Sequence, residues 1–215
     1  MAKSPATKPD SQMRRTPLQA RGHRRVDLLL DAAAEIVAEV GVKAATTNAI
    51  AARAKTSVGS LYQFFPDKHA LVQALAQRLV DRGIEANQRN VWPADPAEWS
   101  ISEMVERGVR SWAAFIDKNP AYPDVARTVQ AAGAFGTSEF LSAAVVSVEN
   151  KLKLLKPKVP PRDRRIHAVM VAETMNTMLC RGAEMARPDR ERLMRELILM
   201  MVRYLAPIYA NPGIV

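Results

Sequence analysis

The chain has 215 residues, is 48% hydrophobic and 25% charged, and carries a formal net charge of +9 with one cysteine and three histidines. Its length and apolar content suffice for a sizeable buried core, which excludes disorder of the whole chain. A lone cysteine, Cys180, forbids an intrachain disulfide and gives no metal-ligand spacing; it reads as a small buried apolar residue, with a thiol-sensing role as the other possibility.

The charge is more telling in its distribution than in its size. Lys3, Lys8, Arg14, Arg15, Arg21, Arg24 and Arg25 stand against Asp10 alone at the start of the chain. No periodic apolar pattern begins before Val26, so residues 1–23 are expected to be a disordered basic arm. Such an arm either follows the phosphate backbone or an adjacent minor groove, adding salt-dependent affinity, or is a solvated tail. The basic start is not followed by an apolar segment of the secretory type, and no stretch approaches the roughly 18 uninterrupted apolar residues that span a membrane. A cytoplasmic location with no membrane partner is expected.

Val26, Leu29, Leu30, Ala33, Ile36, Val37 and Val40 recur at helical spacing, and Gly41 follows as a helix terminator, giving a first helix over 24–40. Thr46 can cap a short second helix ending near Ala54, with Ile50 and Ala54 as its apolar face. Lys55 to Val58 turn the chain, Ser57 is a second cap, and Leu61 and Phe65 form the buried stripe of a third short helix. Two short helices joined by a tight turn make a helix-turn-helix. The outward positions of its second helix are Val58, Gly59, Ser60, Tyr62 and Gln63, small, hydroxylated or amide-bearing side chains that can approach phosphates and base edges. Asp67 can cap a long helix through Leu71, Leu75, Leu79 and Ile84 to about Asn90, which places the Lys68 ammonium at a helix N-terminus where a phosphate is favoured.

These residues resemble the tetracycline-repressor (TetR) family of bacterial transcription regulators. That family's N-terminal pattern runs Gly, four residues, Thr, Ile-Ala four residues on, then Ser-x-Gly-[Ser/Thr]-Leu-Tyr-x-x-Phe and Lys. Gly41, Thr46, Ile50-Ala51, Ser57, Gly59, Ser60, Leu61, Tyr62, Phe65 and Lys68 fall on it in order, over roughly residues 24–75. Where the family commonly has Gly-Val in the turn, this chain has Lys55-Thr56, so Lys55 either is mildly strained there or reaches a phosphate itself. The candidate DNA-contacting set is Thr46, Thr47, Lys55, Ser57, Val58, Gly59, Ser60, Tyr62, Gln63 and Lys68.

Beyond the Pro-rich break at 91–96, helical spacing resumes through Trp99, Met104, Val105, Val109, Trp112 and Ile116 to Asn119-Pro120. Further helices are expected at about 123–132, 139–156, 162–186 and 189–209, and no run alternates with period two, so the fold class is all-α. A DNA-binding domain over 24–70 and a helical domain over 71–215 follow. The last two helices are apolar on more than one face and must be covered on two sides. The resemblance implies that one of those sides meets a second copy in a four-helix homodimer interface, with Val169, Ala172, Met175, Leu179, Ile198, Met201 and Leu205 as the candidate contacts. Two recognition helices roughly 34 Å apart would then read a palindromic double-stranded operator.

The resemblance also implies a ligand pocket in the C-terminal domain. Trp112, Phe115, Tyr122, Phe140, Met170, Glu173 and Met178 are the candidates, with Trp99, Met104, Phe135 and Met175 as further apolar wall. Each taken singly reads more readily as core, and Glu173 and His167 either hold a ligand's cationic or hydrogen-bonding group or are paired with a basic neighbour or exposed. The basic cluster Lys151 to Arg165 reads as a solvated loop. His23, His69, His167 and Cys180 show no nucleophile–base spacing, and no phosphate loop, HExxH or CxxC occurs, so no enzyme activity, cofactor or metal is expected. The reading is a repressor that binds DNA as a homodimer and is released by an apolar small molecule, with an effector-independent regulator or an architectural DNA-binding protein as the alternatives.

Overall fold

The computed structural model describes residues 20–91, 100–132, 139–156 and 158–209, which form helices and turns and, among the described residues, no strand. The all-α expectation therefore holds. None of these helices is long and apolar enough to cross a membrane. The chain separates within its fourth helix into one unit ending at Leu75 and another beginning at Ala76.

In the first unit, α1 (Ala20–Ala44) opens four residues before the expected start, so the end of the basic arm is helical. The rest of that arm lies outside the described residues. Gly41 has φ 77° and ψ 162°, a conformation that an L side chain rarely adopts, and α1 kinks there as the terminator reading requires. Thr46 caps α2 (Thr47–Arg53) by accepting from the Ala49 N–H at 3.1 Å, and Ser57 caps α3 (Val58–Phe64) by accepting from Ser60 N–H at 3.1 Å. Asp67 Oδ1 accepts from Ala70 N–H at 2.8 Å at the start of α4 (Lys68–Val91). Leu29, Ile50, Leu61, Phe65, Leu71 and Leu75 are essentially inaccessible and make the core of the helix-turn-helix.

The second unit takes the remainder of α4 with α5 (Ile101–Lys118), α6 (Tyr122–Ala132), α7 (Glu139–Leu155), α8 (Pro161–Gly182) and α9 (Arg187–Tyr209). Ser100 and Glu103 form a reciprocal capping box at the start of α5, a local signal the sequence reading passed over. Ile101, Val145, Leu152, Ala168, Ala172, Leu205 and Tyr209 pack as one core cluster. Trp112, Phe115 and Tyr122 form an aromatic triangle with centroids 5.5–5.9 Å apart, and the buried Tyr122 hydroxyl donates to Asn176 Oδ1 at 2.7 Å. Arg190 on α9 reaches Asp117 at 2.6 Å and the Ala113 carbonyl at 3.4 Å, tying α9 to α5.

The two apolar sides of α8 and α9 are present, and most of the contacts expected with a second copy lie on the side that packs within this chain's own unit. Ala172, Leu179, Met201 and Leu205 are buried inside this one chain, Val169 packs on the core cluster, Met175 is half-buried within the unit and Ile198 is half-buried. The exposed side instead carries Ile166 (53%) and Met170 (51%) on α8 with Leu199, Met200 and Tyr204 on α9. Helical spacing reveals two stripes but does not say which of them meets the chain's own core. α8 also ends at Gly182 rather than at 186, where Leu193 of α9 packs so closely that an added Cβ would lie 3.3 Å from its Cδ2.

Candidate functional site

Gly59, Tyr62 and Gln63 of α3 are exposed, Val58 is half-buried, and Lys55 is exposed in the preceding turn. Thr47 Oγ1 and the Tyr62 hydroxyl are hydrogen-bonded at 3.2 Å, so α2 orients the phenol. With Thr47 as donor, the Tyr62 O–H remains available to a phosphate oxygen. Thr46 and Ser57 spend an oxygen lone pair on their caps. Ser60 Oγ is buried without a hydrogen-bond partner rather than turned outward, and Lys68 Nζ donates to the Lys43 carbonyl at 3.1 Å, closing the end of α1.

Arg53 on α2 was not foreseen. Its guanidinium pairs with Glu35 at 3.0 Å and Glu39 at 2.9 Å on α1, and hydrogen bonding from Arg53 holds the Glu39 carboxyl below its ordinary value. The pairing joins α1 to α2 and sets the two carboxylates against Arg53. Lys43 and Lys55 are exposed and Lys68 is half-buried in the same unit.

Lys55 has φ 52°, the one positive φ at a non-glycine among the described residues. Lys55→Gly is expected to stabilise the protein by about 0.5–1 kcal/mol, because relief of the left-handed backbone exceeds glycine's greater unfolded-state entropy. The same change should lower the salt slope of DNA binding by about 1, the share of one phosphate contact. Urea unfolding and salt-titrated binding read the two effects separately, and a destabilised variant would contradict the strain.

The second unit holds a partly open cavity of about 110 Å³ among α4, α5, α7, α8 and α9. Ile84, Ile101, Val105, Trp112, Val148, Leu152 and Leu205 give it apolar walls, and Asn87, Ser147, Lys151 and Asn176 supply its polar groups. Lys151 Nζ donates to Asn87 Oδ1 at 2.5 Å, while Asn87 Nδ2 donates to the Gly108 carbonyl at 3.4 Å. Burial pushes the Lys151 ammonium down to about 8.

Of the residues expected to hold a ligand, Trp112 lines this cavity, as do Met104 and Met175 from the wider apolar set. Phe115 and Tyr122 stand in the aromatic triangle outside the cavity lining. Met170 is on the exposed side of α8, and Glu173 and Met178 are half-buried away from the lining; burial raises the Glu173 carboxyl. The side chain of Phe140, like Trp99 and Phe135, lies outside the described residues. His167 bonds the Tyr209 hydroxyl at 2.8 Å, which makes it a packing group. Cys180 is buried and its thiol is pushed up to about 12, as suits an apolar filler rather than a sensor. Lys151, read from sequence as part of a solvated loop, proves to be a cavity residue.

The description "Bacterial regulatory proteins, tetR family" matches residues 29–75, and "Tetracyclin repressor-like, C-terminal domain" matches residues 100–205. Over 80 residues the chain is 41% identical to the HTH-type transcriptional repressor KstR of Rhodococcus jostii (strain RHA1); the match takes in 35% of this chain and 37% of that repressor's length. A TetR-family transcriptional regulator from Streptomyces coelicolor has the same fold with TM-score 0.68 at 25% identity, over 86% of this chain and 99% of that one. A TetR-family transcriptional regulator from Pectobacterium atrosepticum, at 18% identity, shares the fold with TM-score 0.68 over 91% of this chain and the whole of that one. The first match falls on the capped helix pair and the second on the helices that wall the cavity, so the chain belongs to the TetR family of bacterial transcriptional regulators.

Proposed function

We propose that this protein is a repressor that binds a palindromic operator as a homodimer and releases it when a small molecule occupies the cavity of the second unit. The observation that carries the reading is the continuity of α4. One unbroken helix supplies the turn after Asp67 to the DNA-reading unit and Ile84 and Asn87 to the cavity wall. A ligand that shifts Ile84 or Asn87 therefore acts on the same rigid element that leads to the recognition helix.

Release demands that the ligand favour the arrangement that cannot bind DNA, and a tenfold loss of operator affinity needs about 1.4 kcal/mol of such coupling. The description of the Rhodococcus relative as a repressor supports the repressor direction. Ile166, Met170, Leu199, Met200 and Tyr204 offer the apolar surface a second copy would cover. Tyr62 and Gln63 then read phosphate and base edge, with Lys55 on the backbone.

Binding of the purified protein to the DNA flanking its own gene tests this. Two chains per operator are expected, with Tyr62→Phe and Gln63→Ala each weakening specific binding by about 1–2 kcal/mol. Equal, salt-sensitive binding to any duplex, unmoved by either change, would remove the operator reading.

A further inference from the structure

Most of the polar groups that border the cavity are committed to neighbours. Lys151 Nζ donates to Asn87 Oδ1 at 2.5 Å, Asn87 Nδ2 donates to the Gly108 carbonyl at 3.4 Å, and Asn176 Oδ1 accepts from the Tyr122 hydroxyl at 2.7 Å. Asn176 Nδ2 has no hydrogen-bond partner but is itself enclosed. Ser147 differs from these. It is a half-buried residue of the lining, and among the described residues none is hydrogen-bonded to its hydroxyl. A hydroxyl both donates and accepts, so it suits a ligand group that can do both.

The rest of the wall is apolar and adaptable. Trp112 offers an indole, and Met104, Met175 and Met201 bring thioethers from α5, α8 and α9. Sulfur meets the edge of an aromatic ring favourably, and aromatic rings pack on one another offset or edge to face. The burial that works against the Lys151 ammonium works equally against a charge carried in by a ligand, and Lys151 would have to leave the bond it already makes to compensate one. A neutral molecule meets neither cost. At about 110 Å³ the space is of the order of the engineered apolar cavity of about 150 Å³ that takes up benzene, so one ring fills it.

Resting on the effector reading above, we infer that the cavity takes a neutral single-ring phenol, its hydroxyl bonded to Ser147 and its ring against Trp112 and the methionine thioethers.

The test uses phenol, toluene and benzoate, three single-ring probes of similar size, at about pH 7, where phenol is neutral and benzoate charged. Each is titrated calorimetrically into the full-length protein and, in parallel, into its operator complex. Phenol should bind, and benzoate at least tenfold more weakly. Ser147→Ala should lower phenol affinity at least fivefold, because the enclosed phenol hydroxyl is left unpaired, while toluene affinity stays within twofold. Benzoate binding as tightly as phenol overturns the assignment, and so does a variant that shifts phenol and toluene alike, or a failure of phenol to bind. Ser147-dependent phenol binding that leaves operator affinity unchanged would support the phenol site and reject the effector reading, which keeps the two separable.

Discussion

Replacing Gly83 by alanine is expected to lower stability by about 2 kcal/mol, against the usual sign of that change. In a helix interior alanine is better than glycine by about 1 kcal/mol. Here, however, a Cβ on Gly83 would stand 2.6 Å from two ring carbons of Trp112 and 3.2 Å from Phe115 Cε1. Trp112 is 4% exposed and held by the rings of Phe115 and Tyr122, so relief requires it to leave that triangle toward the cavity it lines. Overpacking of this kind costs about 1–3 kcal/mol and occasionally more. Gly108 is the matched control, because an added Cβ there meets nothing within 4 Å. Gly108→Ala should gain about 0.5–1 kcal/mol. Urea midpoints of the two variants moving in the same direction would refute the packing argument.

Lys151 controls the second large effect, which is one of pH. In the folded chain burial lowers its ammonium from the ordinary 10.5 to about 8. Between those values the unfolded chain holds the proton and the folded chain does not, so stability rises with pH across that window. Below pH 8 both states are protonated and the slope vanishes. Wild-type protein should therefore gain about 1–3 kcal/mol relative to Lys151→Met between pH 8 and 10.5, the range allowing for the part of the side chain still in contact with solvent. Loss of the hydrogen bond to Asn87 shifts the variant by a constant amount and cancels from the difference. A gap that stays flat with pH would place the ammonium in water.

What could be read from the chain beforehand was local. Thr46, Ser57 and Asp67 cap their helices because the interaction reaches only three residues along the backbone. Lys55 betrayed its left-handed turn because a glycine was expected there and is missing. The cavity was not legible, since Asn87, Lys151 and Asn176 stand on α4, α7 and α8 and each taken alone looks like an ordinary helix-surface residue. Met170 and Met201 exchanged roles for a related reason. Hydropathy marks both as apolar, and only the register of α8 and α9 against α5 and α7 decides which one turns inward.

Because α4 runs without a break from Lys68 to Val91, one ladder of backbone hydrogen bonds crosses the boundary between the two units. From Ile84 to Lys68 its axis measures about 24 Å at 1.5 Å per residue. A tilt of about 5° around Ile84, hardly more than a repacked side chain would impose, carries the Lys68 end sideways by about 2 Å. On the release reading proposed above, a displacement of that size would exceed the few tenths of an ångström that hydrogen bonds to base edges tolerate.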